Sequence, residues 1–289
     1  MNIVFYVPKK INSIKQYQQF ISIIAHHMPQ DTKTEVLQHS ADLSKMHATI
    51  VHVFDFWNAA CAKLIRQAYQ LRIPVVYSPL GSFHPWIVNQ RKIGSRLYRL
   101  SYLKDILRHV SVLHACSTVE FEFLKQTGWN DYVVLIKNPT ITNSVSVKDV
   151  LNQLFYLYTD TIQKHDLAIH QCFDQQIKKT GETDMNIIRI CKLLLYIKYQ
   201  FCRGEILQDT LTTLTHTMTT LSYDEVHLAE TLQKLDIKRF TARIEQVAEE
   251  QMLLTEGFMP IDKIDDKITK QIRIKIQPID GNKLPNIMT

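Results

Sequence analysis

Apolar and polar positions in the first half of the chain follow two periods in turn. Short β-branched runs over residues 3–7, 34–37, 49–54, 74–77, 111–115 and 132–136 predict strands, most of them buried. Residues 14–28, 58–71, 87–109 and 118–127 carry apolar side chains at helical spacing. Strands that alternate with helices predict an α/β domain with a Rossmann-like parallel sheet over residues 1–142.

The pattern changes at about Val147, after which apolar residues such as Val150, Leu154 and Tyr158 recur at helical spacing without further strands. We therefore predict a second, mainly helical region over residues 147–289. Two details qualify this prediction. Threonine-rich residues 210–220 have poor helix propensity and favour a break, and the isoleucines from 268 to 276 predict a terminal strand that could pair with an edge of the sheet.

Composition narrows the class of protein. A chain of 289 residues with 45% hydrophobic content is long enough for two folded domains. A formal net charge of +6 is too small to indicate nucleic-acid binding. Five widely spaced cysteines without ligand spacing predict reduced thiols and no metal. No run approaches the roughly 20 apolar residues of a membrane span, so we expect a cytoplasmic protein, soluble or peripheral at the inner face of a membrane.

The segment with most chemical content is IPVVYSPLGSFHPW, residues 73–86. A buried strand ends there at Ser78-Pro79 and leads into a turn that contains Gly81 and Ser82. Ligands of open parallel sheets bind outside the carboxyl ends of the strands. The turn is therefore a candidate binding site.

Residues 1–140 resemble the N-terminal, acceptor-side domain of family 4 glycosyltransferases, which have the GT-B fold. The family motif Ser-Pro-His-Gly followed by Pro-Trp is matched by Ser78, Pro79, Gly81, Pro85 and Trp86. A second motif, Ala-x-Ser and a helix with Glu, is matched by Ala115, Ser117 and Glu120, and Lys137-Asn138-Pro139 stands where the family's last strand ends. Three matches in order make the resemblance moderately specific.

The resemblance implies a cleft that receives a glycan or lipid-linked saccharide acceptor and a nucleotide-sugar donor, with no other cofactor. The candidate cleft residues are Asp55, Trp57, Ser78, Gly81, Ser82, Trp86, Ser117, Glu120 and Asn138. His84 is the candidate catalytic base, since an imidazole can take a hydroxyl proton. The loss of the family histidine at Leu80 favours a simple loop histidine that bridges backbone groups for His84. Trp86 could pack rather than stack on a sugar, and Asp55 could cap a helix.

The chain also departs from the family. Leu80 replaces the histidine of Ser-Pro-His-Gly, Phe54 replaces another expected histidine, and residues 8–13 lack the glycines that let backbone approach phosphates. No Glu-x7-Glu pair of a donor-binding domain follows residue 140.

Six cations fall on the predicted helix 87–109, among them Arg91, Lys92, Arg96 and Arg99, beside a leucine-rich stripe. This pattern suits docking on anionic lipid headgroups, and it equally suits a solvated helix whose stripe covers the sheet.

These observations leave three functions open. One is a glycosyltransferase-like protein of bacterial surface polysaccharide or glycan biosynthesis, a hexosyltransferase if active. Another is an inactive homologue, or pseudo-enzyme, that binds a glycan or a partner glycosyltransferase. In the third and weakest, the helical region is an interaction module and the sheet a scaffold.

Overall fold

The chain divides into two compact units, Met1–Leu167 and Ala168–Thr289. This computed structural model describes residues 1–39, 41–55, 59–83, 103–141, 145–252, 254, 257 and 260–277. The sequence prediction of an α/β sheet followed by a mainly helical region is confirmed.

The first unit is built on a parallel sheet of six strands in the order β2-β1-β3-β4-β5-β6. The strands are β1 Asn2–Tyr6, β2 Lys33–Leu37, β3 Ile50–Phe54, β4 Val75–Ser78, β5 Val112–Ala115 and β6 Val133–Leu135. The central strands β3, β4 and β5 are buried along their whole length. Continuous burial explains why their sequences are apolar runs rather than alternating patterns.

Helices cover both faces of this sheet. The helices of the first part of the chain are α1 Lys9–Asn12, α2 Lys15–His26, α3 Ala59–Gln70 and α4 Thr118–Thr127, and residues 103–107 are also helical. Phe20 and Ile24 of α2 pack on one face, and Leu64 and Ile65 of α3 pack on the other. Two-sided cover is what a doubly wound sheet requires.

The end of the predicted basic helix packs on the sheet. Leu103, Ile106 and Leu107 are buried in the same apolar cluster as the strand residues, while Lys104 and Arg108 are exposed. The apolar stripe of residues 103–108 therefore covers the protein core, as expected for a solvated helix that packs on the sheet.

A long helix, α5 Val147–Lys179, follows the last strand. Val150, Leu154 and Tyr158 on its first turns are buried in one cluster with Ile3 and Phe5 of β1. The beginning of α5 therefore completes the cover of the sheet within the first unit.

The second unit is helical. Its further helices are α6 Met185–Arg203, α7 Gln208–Thr220, α8 Glu225–Lys234, α9 Lys238–Met252 and α10 Lys267–Lys275. Its described strands are a parallel pair of two residues each, β7 Ile206–Leu207 and β8 Ile276–Gln277.

The predicted break in the threonine-rich segment is wrong, because residues 208–220 form the continuous helix α7. Thr213, Thr215 and Thr217 each donate a side-chain hydrogen bond to the carbonyl four residues earlier. Leu211 and Leu214 pack into the core of the unit. Tertiary packing and internally bonded hydroxyls thus outweigh the low intrinsic propensity of threonine.

The predicted terminal strand is present only at Ile276–Gln277, and it pairs with β7 instead of the six-stranded sheet. Residues 267–275 form α10, which begins with a capping box: the Asp266 side chain accepts from the backbone N–H of Ile268 and Thr269, and Thr269 bonds back to the Asp266 N–H. The cap sets a helix where the alternating isoleucines suggested a strand.

Candidate functional site at the carboxyl edge of the sheet

The strand order reverses direction between β1 and β3, because the chain goes from β1 outward to β2 and then returns to the other side. Ligands of doubly wound sheets bind in the crevice outside the carboxyl ends of strands at such a point. Asp55 lies there, directly after β3, and is buried. This edge is therefore the candidate ligand-binding region of the first unit.

Asp55 is surrounded by hydroxyl and thiol groups. The Cys61 thiol is hydrogen-bonded to it, and burial together with the Asp55 charge raises the pKa of Cys61. Burial and the same charge raise the pKa of Tyr77 well above its usual value, although the Tyr77 hydroxyl has no hydrogen bond of ordinary length. Burial and the Asp55 charge thus keep the Cys61 thiol and the Tyr77 hydroxyl protonated at neutral pH.

The turn after β4 has an unusual backbone. Leu80 and Gly81 both have positive φ, 51° and 84°, and the Ser82 N–H closes the turn on the Pro79 carbonyl at 3.0 Å. Positive φ is strained for leucine and easy for glycine. Leu80 is held there because its side chain is buried and its carbonyl accepts from the Tyr17 hydroxyl at 2.9 Å.

Glu120 ties this turn to the end of β5. Its carboxylate accepts from the backbone N–H of Gly81 at 2.7 Å and of Cys116 at 3.1 Å. Burial raises the pKa of Glu120 to about 7, while the N–H groups of Cys116, Gly81 and Phe83 favour the ionised form. Through these hydrogen bonds the buried Glu120 side chain holds together the turn after β4 and the end of β5.

Ser117 and Asn138 complete the same cluster. Ser117 is the N-cap of α4, and its hydroxyl accepts from the Glu120 N–H at 3.2 Å. The Asn138 side-chain oxygen accepts from the N–H of Thr140 at 2.9 Å. The structure therefore brings together four of the predicted residues, namely Gly81, Ser117, Glu120 and, through Cys116, Asn138.

Besides the Tyr77 hydroxyl, two buried polar atoms of this edge have no hydrogen-bond partner among the described residues: the Ser82 hydroxyl and the Asn138 side-chain nitrogen. Ser82 is 5% exposed and Asn138 is fully buried. Buried polar groups are almost always paired, and an unpaired one costs roughly 1–3 kcal/mol. One hydroxyl and one amide donor without described partners, at the edge where doubly wound sheets bind their ligands, are groups that a polar ligand could satisfy.

Ser78 occupies a different place, on the sheet face under α5. Its hydroxyl lies 2.6 Å from His52 Nε2 and 2.6 Å from His114 Nδ1, and His52 Nδ1 lies 2.7 Å from the Tyr158 hydroxyl. His114 Nε2 is 2.9 Å from the Ile136 carbonyl oxygen. We call this set, from Tyr158 to the Ile136 carbonyl, the histidine chain. All four side chains are buried.

The direction of every bond in the histidine chain follows from its end. A carbonyl only accepts, so His114 Nε2 carries the proton and neutral His114 accepts at Nδ1 from the Ser78 hydroxyl. Ser78 then accepts from His52 Nε2–H, and His52 accepts at Nδ1 from Tyr158. Burial lowers the pKa of His114 to about 4 and that of His52 well below its usual value, so both are neutral at pH 7.

Sequence reasoning passed over both histidines. Each stands inside a strand that is otherwise apolar, VHVF in β3 and VLHA in β5. A polar residue on the buried face of such a strand needs a buried partner, and that was the available signal.

Several predicted residues lie outside the described part of the chain: Trp57, His84, Trp86, Arg91, Lys92, Arg96 and Arg99. Their predicted roles as cleft, catalytic or membrane-facing groups stay predictions. Over the ranges that the structure describes, no three His, Cys, Asp or Glu side chains are grouped to hold a metal ion.

The fold and the edge define the first unit as a doubly wound α/β unit with buried polar groups where such units bind ligands. Comparison of the chain with protein-family models, with curated proteins and with solved structures finds no match. Among the described helices, none is long and apolar enough to cross a membrane.

Proposed function

We propose that the chain is a glycosyltransferase-like protein of bacterial surface polysaccharide or glycan biosynthesis whose first unit binds a saccharide at the carboxyl edge of the sheet. The observation that carries the proposal is the pair of unpartnered buried groups, the Ser82 hydroxyl and the Asn138 amide nitrogen. They lie on loops that the Glu120 carboxylate and Cys116 connect.

Saccharide hydroxyls suit these two groups because each sugar hydroxyl both donates and accepts. The resemblance of residues 1–140 to family 4 glycosyltransferases supports the same ligand class and adds a lipid-linked or free glycan as acceptor. In an active enzyme the sugar would come from a nucleotide sugar, and the leaving diphosphate would need positive charge or helix N-termini.

A second candidate function is favoured by the second unit. Family members place the donor site in a second Rossmann-like domain, whereas the described residues from 168 onward form helices and one two-residue strand pair. An inactive homologue that binds a glycan or a partner transferase would use the edge without a donor. Either protein would work in the cytoplasm, and the cations Arg91, Lys92, Arg96 and Arg99 would suit peripheral contact with the membrane.

Calorimetric titration separates the two candidates. The intact chain is titrated with UDP- and GDP-sugars, with the free nucleotides, and with oligosaccharides that carry no nucleotide. Saturable binding of a nucleotide sugar supports the enzyme, and binding of oligosaccharides alone supports the inactive homologue. No binding of any probe contradicts the proposal.

Ser82→Ala is the sharpest variant for this titration. Because the hydroxyl has no partner among the described residues, its removal should leave the free energy of unfolding unchanged or slightly higher. Binding should weaken about tenfold, the value of one hydrogen bond to a ligand. Ser22→Ala, at an exposed position of α2, is the matched control. Loss of stability without loss of affinity in Ser82→Ala would show that the hydroxyl serves the fold.

A further inference from the structure

All hydrogen bonds of the histidine chain can form only when both imidazoles are neutral. With neutral imidazoles, Tyr158 donates to His52, His52 to Ser78, Ser78 to His114, and His114 to the Ile136 carbonyl. Each donor has one acceptor. The chain ends on a backbone carbonyl, which cannot pass a proton on, so it is not a path for proton transfer.

An added proton disturbs the histidine chain from His114 to Tyr158. If His114 takes it at Nδ1, Ser78 must turn to donate to His52, and His52 must donate to Tyr158. The Tyr158 hydroxyl proton then loses its acceptor. A fully buried positive charge also appears, and its cost is several kcal/mol unless it is paired.

Among the described residues, no carboxylate is paired with His52 or His114. The rings in contact with His52 are Phe5, Phe54, His114 and Tyr158. The charged side chains on the same stretch of α5 turn elsewhere: Asp160 accepts from the Tyr132 hydroxyl at 2.6 Å and from Lys164 at 2.9 Å. His165 bonds the Arg72 carbonyl through Nε2 at 2.8 Å, a bond that survives protonation of that ring.

We propose that the histidine chain is an acid-sensitive clamp, which holds the start of α5 on the sheet while His52 and His114 are neutral and releases it when they take up protons. Lifting the start of α5 would bring water to the imidazoles, because Tyr158 is hydrogen-bonded to His52 and packs there in one apolar cluster with Leu154 and Leu157. The backbone hydrogen bonds between the strands do not depend on the histidine chain. This inference stands apart from the saccharide proposal and fails or succeeds independently of it.

The sign of the pH effect follows from the two histidines. Their pKa is lowered in the folded protein, so the opened state binds more protons at acidic pH. The clamp is therefore at full strength above the ordinary histidine pKa of about 6.5 and weakens as pH falls toward 4. The population of the opened state should rise up to about tenfold per pH unit for each imidazole that takes up a proton.

Amide hydrogen exchange on the intact chain tests the clamp. Between pH 7 and pH 4.5, after correction for intrinsic exchange, protection at residues 151–162 should fall by at least about tenfold. Strand β1, which contributes no side chain to the clamp, should keep its protection. Equal loss in α5 and β1, or no loss in α5, would overturn the proposal.

Two further measurements keep the test independent of folding defects. Imidazole nitrogen NMR at pH 7 should show His52 and His114 neutral with the proton on Nε2, and a proton on Nδ1 of either would overturn the bond order. Tyr158→Phe should lower α5 protection about tenfold already at pH 7, because His52 Nδ1 loses its donor. Tyr156→Phe, which is 71% exposed on the same helix, is the matched control and should change nothing.

Discussion

Glu245, on α9, is the residue whose burial is hardest to reconcile with its chemistry. It is 1% exposed, and within the described part of the chain neither carboxyl oxygen has a hydrogen bond of ordinary length. Burial and the nearby charge of Glu225 raise the pKa of Glu245 to about 8. Burial and both of these carboxylates raise the pKa of Tyr223 to about 12. Glu245 is therefore protonated at neutral pH.

The raised pKa makes the stability of the second unit fall as pH rises from about 4.5 to about 8. The folded state binds the Glu245 proton more tightly than the unfolded state, so this contribution to stability is complete below pH 4.5 and is lost as pH rises through about 8. Glu245→Gln cannot ionise, so its stability relative to the wild type should increase by at most about 1.4 kcal/mol per pH unit across that window. Urea unfolding followed by far-UV circular dichroism at pH 5, 7 and 9 measures it.

The control for this measurement is Glu230→Gln, an exposed position on the neighbouring helix α8. It should keep the pH slope of the wild type. Parallel pH profiles of the wild type and Glu245→Gln would mean that Glu245 is ionised in the folded protein.

At the scale of elements, the start of α10 combines two functions in one side chain. Asp266 accepts from the backbone N–H of Ile268 at 2.8 Å and of Thr269 at 3.1 Å. It also binds the Arg243 guanidinium through Nε and Nη2, at 3.0 Å and 2.7 Å. Hydrogen bonds from Arg243 lower the pKa of Asp266, so the pair is charged at neutral pH.

Substitutions at Asp266 separate the cap from the charge pair. Asp266→Ala removes both and should lower the free energy of unfolding, because the first turn of α10 loses its cap and Arg243 loses its partner. Asp266→Asn keeps a capping oxygen and should cost about half of that. Asp262→Ala, an exposed aspartate nearby, is the control in the same urea titration. Equal losses for Ala and Asn would mean that the cap contributes nothing.

The same element shows where sequence patterns reach their limit. The central strands β3 and β4 were predictable because their apolar runs are short and fully buried. Alternation over residues 268–276 suggested a strand, yet Asp266 and Thr269 impose a helix, and only Thr269 and Ile272 of α10 are buried. A two-residue period over a short segment is a weaker signal than a capping box together with packing against a neighbouring helix.

Over the whole molecule, the sequence placed candidate residues at one edge of the sheet without showing what each of them does. The resemblance to family motifs picked out Gly81, Ser117, Glu120 and Asn138, and hydrogen bonds join their loops. Only the structure shows what each residue does. Ser117 caps α4, Glu120 holds two loops of the edge together, and Ser78 belongs to the histidine chain instead of the edge. Residues far apart in sequence meet through strand order, which periodicity alone does not encode.

The central claim is that a saccharide ligand occupies the carboxyl edge of the first unit. Backbone amide shifts of the intact, isotope-labelled chain, recorded during titration with the same nucleotide sugars, free nucleotides and oligosaccharides, test it most directly. The account predicts saturable shifts centred on Gly81, Ser82 and the segment around Asn138, with β1 and α8 unaffected. Shifts confined to residues after 168, or none with any probe, would contradict it.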